Sequence, residues 1–129
     1  MTEHKQIEVK GIRPNKKPWS AIVDKELADI IVELNNSGIK TICSCQGSKS
    51  TLAYIATSYL NSKKKVHKVV ELLHKKYPKK AITLIINDKN GIFDFTVHNI
   101  TTKQTDYLVF SGCPMYIPDI QENLFGKKV

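Results

Sequence analysis

Arginine is nearly absent from this 129-residue chain, although the chain is strongly basic. Arg13 is the only arginine among 20 lysines and arginines, and with 12 acidic residues the formal net charge is +8. Lysine acts as a hydrated point charge, whereas arginine supplies the planar fork that reads bases or clamps phosphate. The charge therefore favours anionic partners through long-range attraction and argues against base-specific recognition.

Long apolar runs and spaced cysteine pairs are also lacking. No run approaches the ~20 apolar residues that span a membrane, and the first residues hold no apolar signal-peptide core, so we expect no membrane partner and a cytoplasmic location. The three cysteines are an odd number, and Cys43-x-Cys45 does not have the C-x-x-C spacing of zinc sites. We therefore expect reduced thiols and no metal site, with no role assigned to Cys113.

Two stretches have the hydrophobic spacing of amphipathic helices within a single domain, residues 1–129. The first helix is predicted over about 24–37, with Asp24 as its N-cap and a glycine after its end. The second is predicted over about 62–77, with Ser62 as its N-cap and a proline after its end.

Short runs of β-compatible residues predict the strands. Asn90-Gly91 supplies positive φ at a hairpin turn, and residues 46–50 form the loop of a second hairpin. Residues 119–125 are expected to form one or two helical turns. This order predicts an α+β fold, with a mixed or antiparallel sheet of about five strands and two helices on one face. The predicted strands are 7–10, 39–47, 51–59, 81–87, 92–98 and 107–110.

A loop of small polar residues is the candidate ligand site. A strand that ends in Ser-Cys-Gln-Gly-Ser exposes several backbone N–H groups with little bulk around them, which suits a polar or anionic ligand. The only tryptophan, Trp19, is either a packing anchor or the wall of a pocket for a flat ring. The predicted ligand-binding residues are Thr41, Cys43, Ser44, Cys45, Gln46, Gly47, Ser48 and Trp19.

The second predicted helix and the residues just after it are crowded with lysine, opposed by Glu71 alone. A solvated helix face explains the lysines, and so does a docking face for a phosphate backbone. Several of them lie in the first helical turn, where the helix dipole disfavours cations, which points to a functional reason. The predicted nucleic-acid-binding residues, with RNA as the expected partner, are Lys63, Lys64, Lys65 and Lys68.

Residues 18–56 resemble two groups of proteins. The block 19–24, the helix that follows and the segment 41–47 resemble the wybutosine-synthesising tRNA methyltransferase family, whose corresponding loop reads Ser-Cys-Ser-Gly-Arg. The chain is also similar to small uncharacterised phage and bacterial proteins with a Ser-Cys-Gln/Glu-Gly loop before an Ala-Tyr-Ile strand, here Ala53-Tyr54-Ile55.

The methyltransferase resemblance implies S-adenosylmethionine contacts at Thr41, Ser44, Cys45 and Gly47. Ser48 stands where the family has arginine, which removes a bidentate anion contact. Residues 60–129 show no counterpart of the family's substrate-binding elements. The resemblance therefore implies a shared fold more strongly than a shared activity.

Three functions stay open at this point. The first, which we prefer because the family's second half has no counterpart, is non-catalytic binding or sequestration of a nucleotide-like or adenosine-containing anion at residues 43–50, in a phage-type protein and homo-oligomer. The second is a small S-adenosylmethionine-dependent RNA methyltransferase, which needs little acid–base machinery, so the absence of a readable catalytic set leaves enzyme activity undecided. The third is a basic interaction or inhibitor module for nucleic acid or a protein partner.

Overall fold

The computed structural model describes residues 5–48, 51–87, 89–101 and 107–111. In these ranges the chain forms seven strands and two α-helices, with a short 3-10 helix, Lys25–Leu27, before the first of them. The helices are α1 (Ala28–Asn36) and α2 (Lys63–Lys76). The strands are β1 (Gln6–Ile12), β2 (Pro18–Asp24), β3 (Thr41–Cys45), β4 (Ala53–Thr57), β5 (Lys80–Asn87), β6 (Ile92–Thr101) and β7 (Tyr107–Ser111).

The main sheet has five strands in the order β3-β4-β6-β5-β7. All neighbours are antiparallel except β5 and β7, which are parallel, so the sheet is mixed. The predicted α+β fold is therefore confirmed. Both predicted hairpins, β3–β4 and β5–β6, are present with antiparallel registers.

One face of this sheet forms the core with both helices. Alternate residues of β5 and β6 are buried there, as the pleat of a half-covered sheet requires, while their neighbours face away. The buried stripes of α1 and α2 complete the same cluster. Its fully buried members include Leu27, Ile31, Leu34, Ile55, Val66, Leu73, Leu84, Phe93 and Phe95.

The two predicted helix caps have different outcomes. Ser62 caps α2, because its hydroxyl accepts the Lys65 N–H at 3.3 Å. Asp24 directly precedes the 3-10 helix, but its side chain makes no cap hydrogen bond. The Asp24 cap prediction was therefore wrong about the side chain, which is used elsewhere.

A two-stranded hairpin, β1–β2, was not predicted as a whole. Only residues 7–10 were expected to form a strand, and the first helix was expected to begin at about residue 24. In the structure Gly11 pairs with Trp19, which is 7% exposed and donates its indole N–H to Asn36 Oδ1 at 2.9 Å. A Cβ at Gly11 would overlap Asn36 Oδ1 and lie 2.8 Å from Trp19 Nε1. The hairpin therefore packs against the C-terminal end of α1 through this glycine.

Some of the predictions concern the C-terminal residues, after residue 111. The helical turns predicted at 119–125 lie outside the described residues, as does Cys113. Within the described part, no helix combines the length and apolar character needed to cross a membrane.

Candidate functional site

The Gln46–Ser48 loop leaves β3 at the edge of the main sheet and turns at Gly47. Gly47 has a φ of 84°, the left-handed region that favours glycine. A Cβ there would lie 2.8 Å from Ala53 N and 3.0 Å from Thr51 O. This glycine is therefore required by the turn itself, whether or not a ligand approaches it.

The amides of this loop have partners within the protein. Gln46 N donates to Asp24 Oδ2 at 2.9 Å, Gly47 N to Cys45 Sγ at 3.4 Å, and Ser48 N to Thr51 O at 2.7 Å. Asp24 is 4% exposed, so a buried carboxylate of the protein itself already binds the loop amide. The expectation that these amides are open to an external anion is not met in this conformation.

A small cavity of about 230 Å³ lies beside the loop. The Tyr77 hydroxyl donates to Gln46 O at 3.3 Å at its edge, and burial, with the nearby acidic groups and Cys45, raises the pKa of Tyr77. Ligand sites for drug-sized molecules usually measure about 300–1,000 Å³. This cavity is smaller than that range, and the amides of Gln46, Gly47 and Ser48 are engaged within the protein. The cavity is lined by Gln46, Gly47, Ser48, Thr51, Ala53, Tyr77, Lys80, Val97 and Asn99.

Thr41 and Trp19 do not belong to this cavity. Thr41 Oγ1 accepts from Asn35 Nδ2 at 2.9 Å, and the Asn35 amide oxygen also accepts from Arg13 Nη2 at 3.0 Å. Trp19 lies at the opposite end of β2 from Asp24. Since a strand rises about 3.3 Å per residue, the two residues are about 17 Å apart. Trp19 is a packing anchor, and it also lines an open concavity of about 590 Å³ beside the β1–β2 hairpin, away from this loop.

The face of the main sheet that points away from the helices is polar and partly covered. Thr83 Oγ1 and His98 Nε2 lie 2.8 Å apart across β5 and β6, and Thr96 Oγ1 donates to Asp94 Oδ1 at 3.3 Å. Burial raises the pKa of Asp94. Burial likewise raises the pKa of Tyr54, and Cys43 and Cys45 raise it further. Asp94, Thr96 and His98 are each partly buried on this face.

Cys43 and Cys45 lie on this same polar face, whereas Ser44 lies between them on the side of the core. The register pairs Cys43 with Ala56 and Cys45 with Tyr54, while Ser44 pairs with the buried Ile55. The predicted ligand residues of β3 therefore point to two different sides of the sheet. In the part of the chain that the structure describes, no three His, Cys, Asp or Glu side chains cluster around a metal position.

The lysines of α2 fall into two groups. Lys68 pairs with Glu33 at 2.9 Å, and Lys76 pairs with Glu26 at 2.8 Å. The hydrogen bond and charge of Lys76 lower the pKa of Glu26. Lys63, Lys64 and Lys65, in the first turn, form no ion pair with any residue in the described ranges.

An open concavity of about 400 Å³ runs along the N-terminal half of α2. It brings two of the predicted first-turn lysines to the same surface as Lys68. Lys65 is half-buried and lies outside the lining. The lining residues are Lys63, Lys64, His67, Lys68 and Glu71.

Sequence reasoning missed an exposed aromatic next to these lysines. Tyr59 lies four positions before Lys63, is 46% exposed, and packs edge-on against Phe93 with ring centroids 5.5 Å apart. The β5–β6 turn passes beside it, since a Cβ on Gly91 would lie 3.8 Å from the Tyr59 Cβ. The signal in the sequence was the position of Tyr59 just before a lysine-rich helix.

Comparison with known proteins adds no assignment. No family model, curated protein or solved structure matches the chain.

Proposed function

We propose that the chain is a non-catalytic module that binds the phosphate backbone of single-stranded RNA along the N-terminal half of α2. The observation that carries this proposal is the uncompensated positive charge of that segment. The sequence of α2 contains six lysines against one glutamate, and no acidic residue lies in its first turn. Phosphate contacts by lysine supply most of the affinity of sequence-independent nucleic-acid binding.

The acidic residues of the neighbouring helix neutralise only part of this charge. Glu26 and Glu33 pair with Lys76 and Lys68, which lie at the end and in the middle of α2. Lys63 and Lys64 lie beyond those pairs, at the opening of the concavity. The first turn of α2 therefore keeps its positive charge, although Lys75 adds a further lysine in the last turn.

The position of these lysines is unfavourable for the isolated helix. The N-terminus of a helix carries partial positive charge, and cations there typically lose about 0.3–1 kcal/mol each at low salt. Lys63, Lys64 and Lys65 all occupy this turn. Bound phosphates would turn this repulsion into attraction, because they interact favourably with both the lysines and the helix N-terminus.

The exposed ring of Tyr59 fits a single-stranded partner better than a duplex. Proteins that bind single strands without sequence preference combine a basic groove with aromatic rings on which unpaired bases stack. Tyr59 is anchored on one side by Phe93 and open on the other, just before the first-turn lysines. A strand whose phosphates follow α2 would bring bases towards this ring.

The structure of Arg13 supports binding without base readout. Its guanidinium donates to Asn35 Oδ1 at 3.0 Å, within the network that fixes Thr41. The only arginine of the chain is thus engaged in holding the fold. Lysines remain, and these contact phosphate as point charges.

The test is the salt dependence of RNA binding. Fluorescence anisotropy with a labelled single-stranded RNA would be measured over a range of salt concentrations for the wild type and for K63Q/K64Q/K65Q. The slope of log K against log salt changes by about 0.7 for each lost contact on a single strand. We expect the triple variant to flatten the slope by about 2 and to weaken binding at low salt.

A charge-matched control separates this surface from net charge alone. K5Q/K10Q/K40Q removes the same number of positive charges, three, from exposed positions outside α2. This control should keep a slope close to that of the wild type. Equal losses in both variants would show unspecific attraction by the whole chain, and would overturn the proposal.

A second candidate function is binding of a small nucleotide-like anion beside the Gln46–Ser48 loop. The observation that favours it is the cavity there, which Lys80 lines together with the loop. Since the loop amides are engaged, Lys80 would supply the anion contact. A nucleotide retained in a native mass spectrum and lost in K80Q would support this function, and its absence from the wild type would contradict it.

A further inference from the structure

Cys43 and Cys45 present two sulfur atoms on the same side of β3. The register places them beside Ala56 and Tyr54 of β4, on the face that points away from the helices. β3 is one of the two edge strands of the main sheet in the described part of the chain. Cys43 is exposed and Cys45 is half-buried, and both carry reduced thiols. This face is opposite α2, so the thiol pair is independent of the proposed RNA surface.

The spacing of the pair suits a bridging ion better than a disulfide. Side chains two residues apart on one face of a strand have Cβ atoms about 6.6 Å apart. A disulfide needs Cβ atoms about 3.5–4.5 Å apart, which the backbone of β3 does not allow without moving. Two metal–sulfur bonds of about 2.3 Å span about 4.6 Å, so each sulfur needs to lean only about 1 Å towards the other.

The surroundings of the sulfurs hold them in place. The Gly47 N–H donates to Cys45 Sγ at 3.4 Å, and the register places Tyr54 of β4 beside Cys45. The loop that positions Gly47 is fixed in turn by the Gln46–Asp24 hydrogen bond of 2.9 Å. Hydrogen bonds to metal-bound sulfur orient the ligand and stabilise its negative charge.

The number of ligands selects the type of ion. Within the described residues no third His, Cys, Asp or Glu joins this pair. A structural zinc ion takes four protein ligands, whereas soft thiolates alone favour copper in its monovalent state.

We propose that Cys43 and Cys45 form a two-coordinate site for a soft monovalent ion, Cu(I). On binding, both thiols release their protons to solvent and two sulfur–copper bonds form. The copper remains monovalent, so no electron is transferred. This proposal departs from the expectation of no metal site, which was based on the C-x-x-C spacing of zinc sites.

The test is a competition for Cu(I) with the coloured chelator bicinchoninate, without oxygen, on the full chain. We expect the wild type to withdraw one Cu(I) per chain. C43S and C45S should each weaken affinity by more than about 100-fold, which is the upper value for losing a residue that only hydrogen-bonds to a metal ligand. Affinity of the wild type should rise with pH, because two protons leave for each ion bound.

C113S is the matched control, because it also removes one thiol but leaves the proposed pair intact. It should bind Cu(I) as the wild type does. Cys43 is exposed, so C43S tests the site without disturbing the loop, and thermal denaturation would verify that both β3 variants fold. Unchanged affinity in C43S, a loss in C113S, or one ion shared by two chains in a native mass spectrum would each overturn the proposal.

Discussion

Replacing Asp24 with alanine removes the carboxylate that holds the loop between β3 and β4. This side chain is 4% exposed and accepts from Gln46 N at 2.9 Å and from Gln6 Nε2 at 3.4 Å. Leaving a buried donor without a partner costs roughly 1–3 kcal/mol, and hydrogen bonds to charged groups lie at the upper end. We expect the free energy of unfolding to fall by about 2–3 kcal/mol. Tm should fall by ~4 °C for each kcal/mol lost.

Urea denaturation followed by circular dichroism measures this change, and D24N is its matched control. Asparagine keeps an oxygen that can accept the Gln46 N–H and loses only the charge, so we expect a smaller loss of about 1 kcal/mol. Hydrogen exchange at the Gln46 amide should be faster in D24A than in D24N. If the two variants are equally stable and protect this amide equally, Asp24 does not close the loop, and the amides are open to a ligand after all.

Two further substitutions test other parts of the sheet. Gly47→Ala should destabilise the chain by about 1–2 kcal/mol in urea denaturation, because it combines a φ of 84° with a Cβ 2.8 Å from Ala53 N; wild-type stability would contradict the close contact. Asp94→Asn should raise Tm at neutral pH. Burial raises the pKa of Asp94 above its ordinary 3.8, so the folded wild type loses stability as pH rises through that raised value. The higher Tm of the Asn variant should vanish below pH 3.8. If the variant and the wild type have equal Tm values at all pH values, Asp94 is fully solvated.

Much of the fold could be predicted from local sequence. The stripe Val66, Val69, Val70 and Leu73 and the Ser62 cap predict α2, and they lie within one continuous segment. Asn90-Gly91 likewise predicts its hairpin from two adjacent residues. In both cases the signal and the structure that it specifies lie within a few residues of each other.

The closure of the candidate loop could not be predicted in this way. Asp24 lies 22 positions before Gln46, and nothing local to either residue indicates that they meet. The same aspartate fits an N-cap pattern, and that pattern gave no indication of its hydrogen bond with the Gln46 amide. β2, which ends at Asp24, was not predicted as a strand, and the first helix was predicted to begin at that same residue. These errors arise where one residue satisfies two local patterns and a distant partner decides between them.

The single tryptophan of the chain lies at the seam between the β1–β2 hairpin and α1, with its indole N–H on Asn36 and its ring over Gly11. Its emission spectrum consequently reports on one place only. If the β1–β2 hairpin detached from α1, the Trp19 emission would shift to the red. The far-ultraviolet circular dichroism of α2 would stay constant. The fluorescence of Trp19 can therefore be used to follow the packing of the β1–β2 hairpin against α1 without an added label.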